Sequence, residues 1–333
     1  MNAIAIRAGF LTSIQDLGRT GFRKFGVSLG GAVDSFALRV ANLLAGGDES
    51  AAGLEISFGG LQLRFADERI VAWGGGEFDV RIGSTSLPAG HRALAHAGDE
   101  LKFNHAQSGY RCWLAISGGI DVPFILGSRA TDLRANFGGF NGRALRDGDE
   151  LPLGELRRSP AFATLGRGKQ TAATERISPW SAPKPWSQTA SSAPMVRFVR
   201  GADWNRFNAS TLQRFTSESF AVSSDSDRMG VRLAGPELQR TDDVDLVSEA
   251  VAPGTIQVPP GGQPILLLGD CQTIGGYPKI AHVVTVDLGI AAQLRPEDTV
   301  RFQEISLPEA HRLLFEREQE LERFRIGLSL QNK

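Results

Sequence analysis

The chain has 333 residues, of which 41% are hydrophobic, and a formal net charge of −1 at pH 7. A chain of this length buries roughly three quarters of its unfolded surface and forms about two domains. The near-neutral charge excludes a broad electrostatic footprint for nucleic acid or an anionic membrane, so neither is expected as a partner. No window of about 18 residues is free of charged and polar side chains, and no leader pattern opens the chain, so a cytoplasmic location is the default expectation.

The candidate metal-binding and redox residues give little signal. Cys112 and Cys271 lie far apart, each beside an apolar run. They are expected to be reduced, packed thiols rather than a disulfide or a metal pair. None of the five histidines forms a helical pair with a glutamate, so no dedicated metal site is predicted.

Residues 1–155 are rich in glycine and predict an N-terminal β-barrel-like subdomain. One helix is predicted to begin after Asp34, which can cap its free amide groups, and to end at Gly46 and Gly47. Short alternating or apolar runs between glycines predict the strands, at 10–16, 54–58, 61–65, 69–73 and 112–117.

Residues 156–194 are predicted to be a linker, because their serine- and proline-rich part buries too little apolar surface to order itself. A second barrel subdomain is predicted over 195–305, starting with an alternating strand at 195–200 and a short helix near 210–215. A terminal helix is predicted over 306–326, where Ser306 and Glu309 form a capping box. That helix is expected to pack on the barrel.

A faint internal repeat relates the two halves. Glu55 precedes a glycine and an alternating strand, as Glu249 does later in the chain. Asp99 and Asp298 likewise each open a similar strand pattern. The repeat suggests two related barrels, with chance similarity between strands bounded by glycines as the alternative.

The stretch 247–284 carries the strongest polar signal. Two apolar runs, 265–268 and 280–284, flank a polar segment whose prolines exclude a helix, which predicts two buried strands holding a rigid polar loop. The mixture of carboxylates, amides and one ammonium group fits binding of a small polar substrate that carries a carboxylate or phosphate. The residues concerned are Glu249, Gln257, Asp270, Gln272, Thr273, Tyr277 and Lys279.

Two smaller polar clusters occur elsewhere. Asp16 and Arg19 lie on either side of a glycine and could clamp a carboxylate or phosphate, with an ion pair that fixes a turn as the alternative. A second cluster, 224–233, again places an acid beside an arginine, at Asp227 and Arg228.

Four segments together closely resemble the family of the C subunit of bacterial 5-oxoprolinase: Gln15-Asp16-Leu17-Gly18-Arg19, Gly127-Ser128-Arg129-Ala130-Thr131-Asp132, Ser226-Asp227-Arg228-Met229-Gly230 and residues 272–281. The same family includes allophanate hydrolase subunit 2 and one half of the carboxyltransferase region of urea carboxylase. The resemblance covers nearly the whole chain in order. Ala130 stands where the family often has serine, and Ala250 where it often has glycine.

The resemblance implies a mainly β fold with a few helices, built from two cyclophilin-like β-barrel subdomains. It implies the C subunit of an ATP-dependent 5-oxoprolinase, a hydrolase component that is active only in complex with proteins like the A and B subunits of that enzyme. The reaction opens the lactam ring of 5-oxoproline to give glutamate at the expense of ATP. ATP and Mg²⁺ are expected in the complex, on this chain or on its partner.

Such a site needs cations around the transferred phosphoryl group and a hydrogen-bonding cradle for the lactam. Under the resemblance, Lys279 and Arg228 are expected to neutralise phosphate charge, and Asp270 or Glu249 to help hold magnesium. The expected catalytic residues are therefore Lys279, Asp270 and Arg228. The expected substrate-binding residues are Gln257, Gln272, Thr273, Tyr277, Glu249, Asp16 and Arg19.

Two alternatives come from other functional classes. The chain resembles the carboxyltransferase component of a biotin-dependent, urea-carboxylase-like system, in which biotin would be carried by a separate protein. It also resembles non-catalytic regulatory binding subunits of the same family.

Overall fold

A computed structural model describes residues 2–156, 176–186, 193–242 and 246–331. The chain divides into two compact units, each of which combines segments that are distant in the sequence. The first unit comprises residues 1–18, 34–189 and 320–333, and the second comprises residues 19–33 and 190–319. The sequence predicts residues 19–33 in the N-terminal subdomain, whereas here they fold with the second unit, in which Arg228 donates to the Gly31 carbonyl.

In the described residues the first unit contains a ten-stranded sheet, helix α1 (Ser35–Leu44) and the end of the C-terminal helix, from residue 320 onward. The main path of the sheet runs β10-β7-β5-β8-β4-β1-β9, with β3 and β2 branching from β8 and β6 pairing with β5. The strands are β1 (Asn2–Ala8), β2 (Leu11–Gln15), β3 (Gly53–Ser57), β4 (Leu61–Phe65), β5 (Arg69–Ile82), β6 (Thr85–Ser86), β7 (His91–Ala95), β8 (Glu100–Ile116), β9 (Glu150–Pro152) and β10 (Ile177–Ser181).

The long antiparallel pair β5 and β8 forms the centre of this sheet. Its register shifts between residues 75 and 80, and such bulges bend and twist a strand pair so that it can wrap around a core. Trp73 and Phe103 meet edge to face across the pair, with ring centroids 5.8 Å apart, and both are almost fully buried. Each such aromatic side chain contributes about 2 kcal/mol through burial.

Helix α1 begins and ends where the sequence predicts. The Asp34 carboxylate accepts a hydrogen bond from the Ala37 amide at 3.0 Å, which satisfies one of the free N–H groups of the first turn. The chain leaves the helix at Gly46, which has a φ of 76°. The side chains of Val40 and Leu44 are buried on one face of the helix.

The segment predicted as a linker contains regular structure where it is described. Strand β10 pairs with β7, with Ile177 opposite Ala93, and it lies at the end of the sheet. Pro179 is tolerated there because an edge strand needs only one ladder of hydrogen bonds. The proline- and serine-rich composition of this segment gives no sequence signal for the pairing of β10 with β7. The rest of the predicted linker, 157–175 and 187–192, lies outside the described residues.

The second unit is a closed barrel with strand order β11-β18-β15-β16-β13-β12-β19. A separate two-stranded ribbon, β14 paired with β17, lies outside this barrel. The strands are β11 (Met195–Arg200), β12 (Phe220–Val222), β13 (Gly230–Ala234), β14 (Glu249–Ala250), β15 (Thr255–Gln257), β16 (Ile265–Leu267), β17 (Ile274–Gly275), β18 (Lys279–Val283) and β19 (Thr299–Glu304); the helices are α2 (Ala209–Ser217), α3 (Leu288–Ala291) and α4 (Leu307–Gln331).

The predicted mainly β fold is confirmed, and the second unit closes as a barrel by strand pairing. The core of the barrel is aromatic: Phe215 of α2 stacks on Phe302 of β19, with ring centroids 4.8 Å apart. Phe198 and Phe220 are fully buried against the same cluster.

Helix α4 begins as predicted, since the Glu309 amide donates to the Ser306 hydroxyl at 3.3 Å. The Glu309 carboxylate pairs with Arg312, so the capping box is only half formed. The helix extends to Gln331, and Leu321 and Leu328 pack with residues of α1 rather than on the barrel, because the apolar face of α1 needs cover. Within the described residues, no helix is both long and apolar enough to cross a membrane.

The internal repeat has a structural counterpart in its second half. Asp99 accepts a hydrogen bond from the His96 amide at 2.8 Å just before β8. Asp298 accepts from the Arg295 amide at the same distance just before β19. The first half of the repeat diverges, because Glu55 is buried whereas Glu249 lies on the exposed ribbon.

Candidate functional site

The candidate site lies in the second unit, where β15 and β18 run side by side. Gln257 is the register partner of Lys279, and a bulge between Ile256 and Gln257 interrupts the ladder at this point. Both side chains are buried, with 1% of Gln257 and 9% of Lys279 exposed. Bulges re-aim side chains, so an amide and an ammonium group, which a regular strand pair would rarely bury, become neighbours here.

Asp203 holds Lys279 in place. The Lys279 Nζ lies 3.2 Å from Asp203 Oδ2, and the same carboxylate oxygen accepts the Lys279 amide hydrogen at 2.9 Å. The Asp203 amide in turn donates to the Lys279 carbonyl at 3.1 Å. One ion pair and two hydrogen bonds therefore join Asp203 to Lys279 and hold the lysine in position. Asp203 is missing from the residues predicted by sequence, because nothing in its local pattern points to residue 279.

A second carboxylate reaches Lys279 from the ribbon. Glu249 Oε2 lies 3.1 Å from Lys279 Nζ, and 65% of the Glu249 side chain is exposed against 14% for Asp203. The ribbon pairs Glu249 with Gly275 and Ala250 with Ile274. The structure therefore brings together Lys279 and Glu249, which the sequence predicts in one site.

The side-chain amides of Gln257 and Gln272 are hydrogen-bonded to each other. Gln272 Nε2 donates to Gln257 Oε1 at 3.2 Å, and Gln257 Nε2 donates to the Tyr277 carbonyl at 3.2 Å. A Cβ atom at Gly275 would lie 2.8 Å from Gln257 Nε2, so a side chain there would displace the amide. The Tyr277 side chain is 45% exposed, and the Thr273 carbonyl accepts from Val251 at the base of the ribbon. These predicted residues thus share one neighbourhood.

Arg23 belongs to the site, although it is not among the residues predicted by sequence. Its Nη2 donates to the carbonyls of Val251 and Gln272, the latter at 3.2 Å, so it joins the two chain segments at the base of the ribbon. Its Nη1 is buried and has no hydrogen-bond partner among the described residues. No local sequence signal marks Arg23, because its partners are about 230 residues further along the chain.

Cys271 adjoins this arginine. Burial raises the pKa of the Cys271 thiol, and the Arg23 guanidinium partly offsets the increase. Cys112 is also buried, and burial together with the Glu55 charge raises its pKa well above the usual value. Both cysteines are the packed, protonated thiols that the sequence predicts.

Arg228 and Asp270 form a separate buried ion pair. Arg228 Nε lies 2.8 Å from Asp270 Oδ2 and Arg228 Nη2 lies 2.9 Å from Asp270 Oδ1, while Nη2 also donates to the Gly31 carbonyl at 2.7 Å. The pair anchors loop 19–33, which the Gly30 amide also ties to the Gly269 carbonyl. The charges neutralise each other, and the catalytic roles expected for Arg228 and Asp270 stay predictions.

Asp16 and Arg19 fall in different units. The Asp16 carboxylate accepts hydrogen bonds from the Ser128 hydroxyl and the Arg129 amide, both at 2.6 Å, and from the Gly18 amide at 2.8 Å. These bonds join two of the four segments that carry the family resemblance. The Arg19 side chain is fully buried, and its amide donates to the Leu29 carbonyl. A role for either residue in clamping substrate stays a prediction.

The residues present do not fit a metal site built by the protein. In the parts of the chain that the structure describes, no group of three or more His, Cys, Asp or Glu side chains could hold a metal ion. Both oxygens of Asp270 are engaged by Arg228, and Glu249 is paired with Lys279. Neither carboxylate is therefore poised to hold Mg²⁺, which is the role that the resemblance implies for one of them.

Comparison with known proteins identifies the family. A family model described as the carboxyltransferase domain, subdomain A and B, matches residues 25–304. The chain is 40% identical over 306 residues to the C subunit of 5-oxoprolinase from Escherichia coli (strain K12), covering 92% of each chain. It is 36% identical over 303 residues to the C subunit of 5-oxoprolinase from Haemophilus influenzae, covering 90% of each.

Solved structures support the same relationship. The fold matches Kluyveromyces lactis urea carboxylase with a TM-score of 0.87 and 29% sequence identity, covering 97% of this chain but 29% of that one. The K. lactis urea amidolyase gives the same TM-score and identity, and this chain spans 20% of its length. The family model and the similarity along nearly the whole length show that the chain belongs to the family of carboxyltransferase-domain proteins that includes the C subunit of 5-oxoprolinase.

Proposed function

We propose that the chain is the C subunit of an ATP-dependent 5-oxoprolinase and helps to convert 5-oxoproline to glutamate. The observation that carries this proposal is the 40% identity to the E. coli C subunit over 92% of both chains. Because the alignment spans both proteins almost completely, it relates whole subunits rather than one shared module.

The chemistry explains why ATP is needed. A lactam is a poor electrophile, because the nitrogen lone pair is delocalised onto the carbonyl group. Transfer of the γ-phosphoryl group to the carbonyl oxygen breaks its bond to ADP and forms a reactive phosphorylated intermediate. Water then adds at the activated carbon, the ring C–N bond breaks to give an acyl phosphate, and a second water molecule hydrolyses this acyl phosphate to glutamate and phosphate. The balanced reaction converts 5-oxoproline, ATP and two water molecules to glutamate, ADP and phosphate.

The geometry of the Lys279 site supports this chemistry. The buried ammonium group can bind an anionic part of the substrate or intermediate. The side-chain amides of Gln257 and Gln272 present both donors and acceptors, which complement the carbonyl oxygen and the N–H of a lactam. The proposal assigns Lys279 to charge neutralisation and these two glutamines to orientation of the lactam ring.

Partner proteins follow from the same relationship. Relatives over the full length are named as the C subunit of 5-oxoprolinase, which implies other subunits in those enzymes. We propose proteins like the A and B subunits of 5-oxoprolinase as partners, with turnover only in the complex. ATP and Mg²⁺ would bind in that complex, and no step is assigned to Mg²⁺ on this chain.

Carboxyl transfer is the second candidate function. The matching family model is a carboxyltransferase domain, and the fold agrees with K. lactis urea carboxylase. Biotin would then have to come from a separate carrier protein. A non-catalytic regulatory role is the remaining possibility, and it becomes the favoured one if neither reaction is found.

The test is ATP hydrolysis that depends on 5-oxoproline, measured with the purified chain and its partner proteins. We expect ADP and glutamate in equal amounts, and no product when this chain is omitted. A parallel reaction supplies carboxylated biotin and urea in place of ATP and 5-oxoproline. An intact complex without 5-oxoproline-dependent ATP hydrolysis would overturn the proposed activity. Transfer of the carboxyl group from biotin to urea, giving carboxylated urea, would establish the second candidate.

A further inference from the structure

Lys279 has two carboxylate partners that differ in how firmly they are held. We propose that the Glu249 carboxylate occupies the ligand's position on the Lys279 ammonium group, and that the carboxylate of a small cyclic amide displaces it when the ligand binds. This inference rests on the proposed function, because 5-oxoproline carries one carboxylate beside its lactam. It assigns Lys279 to the substrate carboxylate rather than to the transferred phosphoryl group.

Asp203 is the partner that stays. Its carboxylate accepts from both the amide and the ammonium group of Lys279, and its own amide donates to the Lys279 carbonyl. Its side chain is 14% exposed, and it follows the Gly201 amide, which is tied to the Ile280 carbonyl at 2.9 Å. Moving Asp203 would break several hydrogen bonds together, so no ligand replaces it at low cost.

Glu249 is the partner that can leave. Its only ion pair within the described residues is the one with Lys279, and 65% of its side chain is exposed to water. Arg23 clamps the base of the ribbon through the Val251 and Gln272 carbonyls, so the ribbon can stay in place while the Glu249 side chain rotates into solvent. A carboxylate that is already mostly hydrated loses little when it gives up an ion pair.

Charge balance makes the exchange competitive. Asp203 also pairs with Arg206, which pairs in turn with Asp242, so the linked cluster of two cations and three carboxylates carries a net charge of −1. A third carboxylate beside the same ammonium group would add repulsion in a partly buried position, so the ligand and Glu249 exclude each other. The departure of Glu249 restores the original balance when the ligand is bound.

The neighbouring amides select the rest of the ligand. Gln257 is the register partner of Lys279, and its amide is bonded to that of Gln272. Gln257 is buried and its amide is hydrogen-bonded at both ends, so the partly exposed Gln272 amide is the one assigned to contact a ligand on Lys279, and the group complementary to an amide is another amide. A small ring that bears both a carboxylate and a lactam satisfies both contacts.

The experiment compares the wild type with Glu249→Gln in the assembled complex. Removal of the competing charge is expected to lower KM for 5-oxoproline about two- to fivefold at unchanged kcat, the range that one largely exposed ion pair supports. The neutral carboxamide of 5-oxoproline should show no such gain. Glu218→Gln removes an exposed carboxylate of the same unit and serves as the control for net charge.

Two results would overturn the inference while the proposed function stands. An unchanged KM would mean that Glu249 does not compete with the substrate. A fall in kcat of tenfold or more would mean that Glu249 takes part in the reaction itself. Glu249→Ala should reproduce the lower KM, which separates the loss of charge from any effect of the new amide.

A binding measurement decides the inference if the wild-type complex shows no 5-oxoprolinase activity and the proposed function fails. The chain has few lysines, so acylation of Lys279 by an amine-reactive reagent can be followed by mass spectrometry. Acetate, used as the simplest carboxylate, should protect Lys279 at a lower concentration in Glu249→Gln than in the wild type. Equal protection in both proteins, or protection in neither, would overturn the exchange.

Discussion

At the scale of single residues, Lys279 is the buried cation at the centre of the proposed site. Replacing it with alanine removes the buried cation, so kcat/KM is expected to fall by about 100-fold, the loss typical of one preorganised donor. The substitution also removes the closer of the two cations beside the Asp203 carboxylate and leaves the more distant Arg206, which should lower the free energy of unfolding by about 1–3 kcal/mol. Steady-state kinetics of the complex and urea unfolding of the chain measure the two effects.

Lys102→Ala is the matched control. Lys102 pairs with Glu100 in the first unit, and 43% of its side chain is exposed. Its removal should change neither kcat/KM nor stability by a measurable amount, because exposed ion pairs contribute little. Near-normal turnover of Lys279→Ala would exclude Lys279 from the mechanism.

The types of residue at the site could be predicted from the sequence better than their pairings. Lys279, Glu249, Gln257 and Gln272 are assigned to one site from the polar pattern alone, and they are neighbours in the structure. Asp203 is not predicted, because its position against residue 279 depends on how β11 and the loop after it lie beside β18. Long-range pairing of this kind leaves no local signal.

At the scale of elements, the ribbon depends on Arg23. Arg23→Gln removes the guanidinium that bridges the Val251 and Gln272 carbonyls. We expect the ribbon amides, including that of Val251, to exchange with deuterium faster, and kcat/KM to fall because Gln272 loses its fixed position. Stability should fall by only about 1–2 kcal/mol, since two hydrogen bonds are lost at a partly exposed place.

Hydrogen exchange with peptide resolution over 246–280 measures the loosening. Arg200→Gln is the control. Arg200 is the last residue of β11, which begins at Met195, and it forms an ion pair with Glu304; 59% of the Arg200 side chain is exposed. Unchanged exchange at the ribbon in Arg23→Gln would show that β14 and β17 hold themselves together.

His282 on β18 gives the barrel a pH dependence. Burial lowers the pKa of His282 below its usual value of 6.5, and Thr255 Oγ1 lies 3.4 Å from its Nδ1. Between the folded-state pKa and 6.5 the unfolded chain binds more protons, so this contribution to the free energy of unfolding falls as the pH drops below 6.5 and is constant above it. His282→Gln should flatten the dependence, as measured by urea unfolding at several pH values from about 5 to 8.

Helices and strands with strong local signals could be predicted from the sequence. The predicted helix caps at Asp34 and Ser306 are confirmed. Each side chain accepts a hydrogen bond from the amide three residues further along the chain, so the signal is local. Strand β10 was missed because its place in the sheet comes from a partner, β7, that lies about 85 residues earlier. Composition around Pro179 favours an irregular chain, and tertiary pairing overrides that preference.

At the scale of the whole molecule, the chain order and the folding units do not coincide. Residues 19–33 belong to the second unit although they follow the first two strands of the first unit. Sequence reasoning divides a chain into consecutive domains at its polar, proline-rich stretches, and it has no means of detecting a loop that folds elsewhere. The contacts that hold this loop in the second unit include those of Arg228, the Gly30 amide and the Arg23 side chain.

The structural role of the Arg228–Asp270 pair can therefore be tested separately from a catalytic role. Arg228→Ala should lower the free energy of unfolding by about 3–5 kcal/mol, because it leaves the Asp270 carboxylate buried and unpaired. The double variant Arg228→Met, Asp270→Leu removes both charges, and it should recover most of that loss, to within about 1–2 kcal/mol of the wild type. Chemical unfolding of the three proteins measures the coupling between the two residues.

Activity of the double variant separates the two roles. If the pair only anchors loop 19–33, the folded double variant should lose no more kcat than Arg23→Gln does, since Arg23 is the residue of that loop that contacts the ribbon. If Arg228 neutralises phosphate charge, as the family resemblance implies, the double variant should fold normally and lose kcat by about 100-fold or more. Kinetics at saturating 5-oxoproline in the assembled complex, normalised to the folded fraction, distinguishes these outcomes.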